Sequence, residues 1–239
     1  MIVRNSEEKV YDQVKKDLLL KINNNIYKVG DKLPTNMQLC DLYSVSRITI
    51  NRALMDLESE GYIEKKQGKG CYVKFKEINQ NISNFYSFTD ELIKMGYVPS
   101  SIFISLTLED PNSEVKSALN LSDGEKVYVL KRLRLADDLI VAYDRSIIPE
   151  KIIPNFNKKM LVEGSLYKAL EKFYGFRPNS SEETIEAISI NPDDAEKMKM
   201  KPLSPALRIK RVSYYHDTKV EFNDRLVNSK LFKYRMKLK

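Results

Sequence analysis

The chain has 239 residues, 42% of them hydrophobic, and a formal net charge of +7, which suits two ordinary domains with cores of their own and permits a polyanionic partner. No run of roughly 18 apolar residues occurs and the first residues lack the apolar core of a signal peptide, so no membrane span and a cytoplasmic location are expected. Two cysteines and a single histidine, His216, leave little for a metal site, a disulfide framework or a histidine triad; His216 is expected to be structural, with no cofactor and no metal.

In chain order, Val10, Val14, Leu18 and Ile22 recur at the helical period and predict a first helix from about Glu7 to Asn25. A turn around Gly30 leads to a second helix capped by Thr35, with Leu39, Cys40 and Leu42 expected to face inward. Ser46 then caps a third helix whose Ile50, Ala53, Leu54 and Leu57 form one apolar stripe. Arg47, Ile48, Asn51, Arg52 and Met55 are left on its sides and back. Gly61 ends that helix, and Tyr62–Glu64 and Gly70–Val73 read as two short strands around Gln67-Gly68-Lys69-Gly70. Three helices and a basic hairpin make a winged helix, a build that lays the third helix in the major groove of double-stranded DNA. The side chains suit that role. Arg47 and Arg52 reach phosphate or guanine, Asn51 pairs with adenine, and Ser46 and Thr49 bond phosphate oxygens.

The segments Gly30-Asp31-Lys32-Leu33-Pro34, Val45-Ser46-Arg47, Thr49, Ala53-Leu54, Leu57, Glu60-Gly61 and Gln67-Gly68-Lys69-Gly70 resemble the winged-helix domain of the GntR family of bacterial transcription regulators. The resemblance implies operator contacts at Ser46, Arg47, Thr49 and Gly68, with Lys69 beside them in the basic wing. Two departures stand out. Asn36-Met37 replaces a common Glu-Arg, and Asn51 stands where relatives commonly carry arginine, so the operator is expected to differ from the family's usual one.

Residues 1–76 are thus expected to form the DNA-binding domain. The polar stretch after Lys74 suggests a linker at 77–84, and a second domain at 85–239. There the pattern predicts a short helix ending at Gly96, a strand over Ser101–Leu108, a helix over Asn112–Leu119, and a hairpin of Val127–Leu135 with Leu139–Ile147. A helix over Ser165–Phe173, a strand over Glu182–Ile190, a helix over Asp193–Met198 and strands over Ala206–Tyr215, Val220–Asn228 and Phe232–Leu238 follow. This is an α+β domain with an antiparallel sheet.

Arg132 and Arg134 lie two apart in a strand and share a face, a pair of guanidinium forks suited to phosphate or carboxylate. Ser87, Phe88 and Thr89 precede a helix, where free amides attract an anion and where these residues also serve as caps. Tyr167 and Glu221 are candidates for ligand hydroxyls. Lys131 through Asp137, the Pro149 region, Gly164-Ser165-Leu166-Tyr167 and Val220-Glu221-Phe222 resemble the effector (UTRA) domain of the HutC-type branch, which shares the chorismate lyase-like fold. That resemblance implies effector contacts at Arg132, Arg134, Asp144 and Ser165. A two-residue turn at Asp137-Asp138 would pair Asp144 with Lys131, on the wrong face, so a bulge or longer loop is required. The resulting expectation is a homodimeric, non-enzymatic repressor of a metabolic operon, answering to a small anionic effector such as a sugar phosphate. An enzyme of the same fold joined to a DNA-binding domain, and a DNA-binding protein without a ligand, stay open as alternatives.

Overall fold

The computed structural model describes residues 9–23, 26–74, 78–81 and 85–235, and the chain divides into two compact units, the first ending at Glu77 and the second starting at Ile78. Among the described residues no helix is long and apolar enough to cross a membrane.

The first unit contains α1 (Val10–Asn23), α2 (Asn36–Tyr43), α3 (Arg47–Ser59) and a hairpin of β1 (Ile63–Lys66) with β2 (Gly70–Val73). Thr35 and Gln38 form a reciprocal capping box at the start of α2, and Ser46 accepts from the Thr49 amide at the start of α3. Val14 and Leu18 of α1, Leu39 of α2, the predicted stripe Ile50, Ala53, Leu54 and Leu57 of α3, and Ile63 and Val73 of the hairpin bury one another in a single core. Truncating one of these leucines to alanine should cost about 2–5 kcal/mol. Leu42 departs from expectation and is exposed. The buried face of α2 runs through Leu39, Cys40 and Tyr43, and Leu42 lies roughly 100° around the helix from its centre.

The second unit is built on a six-stranded antiparallel sheet in the order β4-β5-β6-β9-β8-β7. Its strands are β4 (Pro99–Glu109), β5 (Val127–Ala136), β6 (Leu139–Pro149), β7 (Ser180–Ser189), β8 (Pro205–Tyr215) and β9 (Thr218–Asn228); its helices are α4 (Phe88–Lys94), α5 (Ser113–Leu119), α6 (Leu166–Tyr174) and α7 (Pro192–Lys197). The period of two along β5 sends Tyr128 and Leu130 into a cluster with Leu166, Tyr167 and Leu170 of α6. Val127 and Val129 turn the other way onto Val115 and Leu119 of α5, and Leu133 and Leu135 pack with Ala195 of α7. Helices therefore cover both faces, and the domain is α+β as the pattern predicts.

Two expectations are corrected. The linker drawn at 77–84 contains a strand, β3 (Ile78–Asn81), which pairs in parallel with β10 (Phe232–Arg235). Ile78, the one apolar residue of that strand's sequence, is buried, and a single apolar residue makes no hydrophobic period in a polar stretch. For the same reason β10 does not extend the antiparallel sheet; the end of its predicted span, 236–238, lies outside the described residues. Two short 3-10 turns, Glu150–Ile152 and Lys158–Met160, fill the connection between β6 and α6.

Candidate functional site

Two groups of predicted residues come together, one on each unit. On the first, Arg47 opens α3 and is exposed with Ser46, Asn51 and Arg52, while Thr49 is half-buried. The Ser46 hydroxyl takes the Thr49 amide at 3.3 Å and lies 2.9 Å from the Thr49 hydroxyl, so the two side chains hold each other at the helix start. Arg52 is less free than its neighbour. It sits 3.3 Å from Asp56 and over the ring of Tyr11 in α1, on the flank of α3 that meets α1. Asn51 accepts a 2.5 Å hydrogen bond from Asn36 at the start of α2, a contact the sequence did not announce. In the wing, Gly68 has φ +70° and open space where a Cβ would stand, so the backbone angle, not crowding, requires glycine. Lys69 follows it, exposed.

On the second unit the sheet face beneath α6 turns polar past Leu130. The hairpin meets the geometric requirement stated above: Leu135 pairs with Ile140 but Arg134 pairs with Ala142, so Val141 is an extra residue in β6. That bulge sets Asp144 opposite Arg132 instead of Lys131 and turns it onto the arginine face. Asp144 in turn lies opposite Arg225 of β9, and Ser146 opposite Asn223, which lies opposite Arg211 of β8. Ser87, Phe88 and Thr89 from α4 and Ser165 and Tyr167 from α6 close over this face. All the predicted effector residues, Ser87, Phe88, Thr89, Arg132, Arg134, Asp144, Ser165, Tyr167 and Glu221, line one small cavity.

Its charges pair unequally. Arg225 Nε donates to Asp144 Oδ1 at 2.5 Å, whereas Arg132 and Arg134 approach Asp144 Oδ2 only at 3.7 and 3.6 Å. Arg211 is bound to Glu183 and donates to the Tyr86 carbonyl at 2.9 Å. Arg132 also donates to the Gly164 carbonyl at 2.8 Å, and Arg134 to the Thr89 hydroxyl at 2.6 Å. The Nε atoms of Arg132 and Arg134 and one terminal nitrogen of Arg211 are buried without a partner, leaving donors that a ligand can satisfy. Burial, reinforced by the charge of Arg132, brings Arg134 down to about 9. Burial pushes Asp144 the other way, but Arg225, Arg134 and Arg132 outweigh it and hold the carboxyl at about 2.

Glu221 is buried and its Oε2 accepts from the Tyr167 hydroxyl at 2.6 Å and from Ser213 at 3.2 Å; among the described residues no lysine or arginine forms an ion pair with it. Burial, with Glu221 beside it, raises the Tyr167 phenol above its ordinary value. Ser165 caps α6 through the Lys168 amide, but Ser87, expected to cap α4, occupies the cap position without making that bond. Ser146, Arg211, Asn223 and Arg225 were missed by sequence reasoning. The available signal was the alternation Glu221, Asn223, Arg225 along one strand, which shares a face as Arg132 and Arg134 do.

A winged helix-turn-helix unit followed by a sheet domain that closes over a charged cavity is the build of a DNA-binding transcription regulator. Residues 10–73 match the bacterial regulatory proteins of the gntR family, and residues 94–233 match the UTRA domain. The chain belongs to the GntR family of transcription regulators, in its UTRA-containing, HutC-type branch. It is 25% identical over 205 residues to the HTH-type transcriptional repressor NagR of Bacillus subtilis (strain 168), covering 86% of this chain and 84% of that one. It is 27% identical over 221 residues to a protein of Escherichia coli (strain K12) described as the probable fructoselysine utilization operon transcriptional repressor, covering 90% and 88%. In fold it is similar to PhnF from Mycobacterium smegmatis, with a TM-score of 0.71 at 20% identity over 95% of this chain and 99% of that one.

Proposed function

We propose that this regulator is a repressor of a metabolic operon whose operator affinity is set by a small phosphorylated metabolite, a sugar phosphate, bound in the arginine-lined cavity. The observation that carries the reading is the pairing of charges: Arg225 holds Asp144 closely, Glu183 holds Arg211, and Arg132 and Arg134 are left with buried, unsatisfied donors. Arg132, Arg134 and Arg225 share the single carboxylate of Asp144, an excess of positive charge that calls for an anion, and guanidinium forks suit a tetrahedral phosphate. Glu221 and Tyr167 supply polar partners for hydroxyls elsewhere on the ligand. Relatives named as repressors, one of them of a fructoselysine utilization operon, point the same way.

On the DNA side, α3 enters the major groove with Arg47 and Asn51, Asn51 facing an adenine, while Ser46, Thr49, Gly68 and Lys69 position the backbone; Arg52 contributes from the flank. The active form is a homodimer, since one winged helix reads one half-site of a two-fold operator. Of the two sheet edges β7 carries Glu182, Glu183 and Glu186, whereas β4 exposes Ile102, Ile104 and Leu108, which favours β4 as the dimer surface.

Calorimetry tests the ligand reading. Sugar phosphates should bind at least an order of magnitude more tightly than their unphosphorylated sugars, and Arg132→Ala/Arg134→Ala should abolish that preference. Equal affinity for sugar and sugar phosphate would overturn it.

A further inference from the structure

We propose that Asn36 and Asn51 act as one amide unit that reads an A·T base pair in each operator half-site, with Ile48 and Met37 against the thymine methyl group. The inference rests on α3 entering the major groove with Asn51 facing an adenine, and adds to it a positioning residue on α2 and an apolar contact to the paired thymine.

Asn36 is the first residue of α2 and Asn51 the fifth of α3, and the 2.5 Å hydrogen bond between them joins the start of α2 to the second turn of α3. A side-chain amide carries two N–H donors on nitrogen and a carbonyl that accepts twice. Once one amide donates to the other, the pair presents one N–H side and one carbonyl side to an incoming base edge. Asn36 therefore acts as a positioning residue, removing the rotational freedom that an isolated asparagine on a helix surface would keep.

In the major groove adenine offers an acceptor, N7, beside a donor, the N6 amino group, and a coupled donor and acceptor complement it. Guanine offers two acceptors, N7 and O6, and would set O6 against the amide carbonyl, a lone pair facing a lone pair. Two donors in a fork, as in arginine, are what guanine needs, and neither position supplies them here. The apolar neighbours favour the same base pair. Ile48 lies three residues before Asn51, on the same side of α3, and at 82% exposure is the most exposed large hydrophobic among the described residues; Met37, beside Asn36, is 61% exposed. Thymine is the base whose major-groove edge carries a methyl group for such side chains to cover.

The test uses the full-length protein. Selection from a randomised duplex library gives a consensus, and the selected duplex is then remade with 7-deaza-adenine, which lacks the N7 acceptor, or with deoxyuridine, which lacks the methyl group. An A·T pair should be selected at one position per half-site, and replacing it by G·C should weaken binding about 5- to 150-fold. The 7-deaza-adenine duplex should bind several-fold more weakly to wild type but equally to Asn51→Ala. The deoxyuridine penalty should vanish in Ile48→Ala. Asn36→Ala, at a half-buried position where the melting temperature checks that the fold is kept, should relax A·T preference at that one position, and Asn36→Ala/Asn51→Ala should relax it no further than Asn51→Ala alone. A consensus without that A·T pair, or full discrimination retained in Asn36→Ala, overturns the proposal and leaves the groove assignment standing. Failure to select any consensus, with Arg47→Ala binding DNA as wild type does, overturns the assignment of α3 as well.

Discussion

Asp144→Asn is the most informative single change in the cavity. It removes the carboxylate shared by Arg225 at 2.5 Å, Arg134 at 3.6 Å and Arg132 at 3.7 Å, all of them buried. Two routes bound the cost. The carboxyl is held at about 2 against an ordinary 3.8, and at about 1.4 kcal/mol per unit its ionisation contributes about 2 kcal/mol to stability. Removing one partner of a buried ion pair, which also leaves the guanidiniums to repel one another, costs about 3–5 kcal/mol. For a unit of this size each kcal/mol moves the melting temperature by about 2–4 °C, so a fall of roughly 4–20 °C at pH 7 is expected. The pH dependence has a definite sign. A depressed carboxyl stabilises above its unfolded pKa and loses that contribution as pH falls toward its folded value, so the gap between wild type and variant should narrow from about pH 4 to about pH 2. Inorganic phosphate should raise the variant's melting temperature more than the wild type's, because the anion replaces the missing charge. Thermal unfolding by circular dichroism across pH, with and without phosphate, reads all three effects. Equal melting temperatures at pH 7, or a gap constant down to pH 2, would refute the shared-carboxylate reasoning.

Other consequences are open to direct measurement. Because Arg134 sits at about 9, affinity for a phosphorylated ligand should decline as pH rises past that value, and calorimetry showing a flat profile to pH 10 would contradict its role. Arg47→Ala should weaken operator binding by about 1–3 kcal/mol if it contacts a base, while Lys69→Ala should lower the salt slope by about one unit; no change in either would rule out the helix-in-groove assignment. Ile102→Glu/Leu108→Glu on β4 should yield a monomer by light scattering with weakened operator binding, and an intact dimer would move the interface elsewhere on the domain.

The first unit was legible because its signals are local. Ser46 and Thr35 cap helices within four residues, and the stripe from Ile50 to Leu57 buries as its period requires. The charged face of the second unit's sheet was half legible. Arg132 and Arg134 declare themselves by their spacing, but Asp144 joins them only through the bulge at Val141, whose need could be argued from register and whose position could not. Arg225 and Arg211 enter through pairings far apart in sequence, with β9 and β8 completing the ladder that starts at β5, and one strand's periodicity does not say which strand lies beside it. The strand hidden at Ile78–Asn81 shows the same limit: its parallel partner starts at Phe232, and short pieces stabilised by distant backbone bonds leave almost no pattern.

The proposed function requires that an anion held by Arg132 and Arg134 change how tightly the protein holds its operator. A ligand shifts such an equilibrium only by its differential affinity for the two states. The direct measurement is operator affinity for wild type and for Arg132→Ala/Arg134→Ala, each titrated with a panel of sugar phosphates and the corresponding free sugars. At least one sugar phosphate should shift wild-type operator affinity by tenfold or more, its free sugar should not, and the double variant should bind operator normally yet ignore both. A double variant that responds as wild type does, or a wild type whose operator affinity no member of the panel alters, would contradict it.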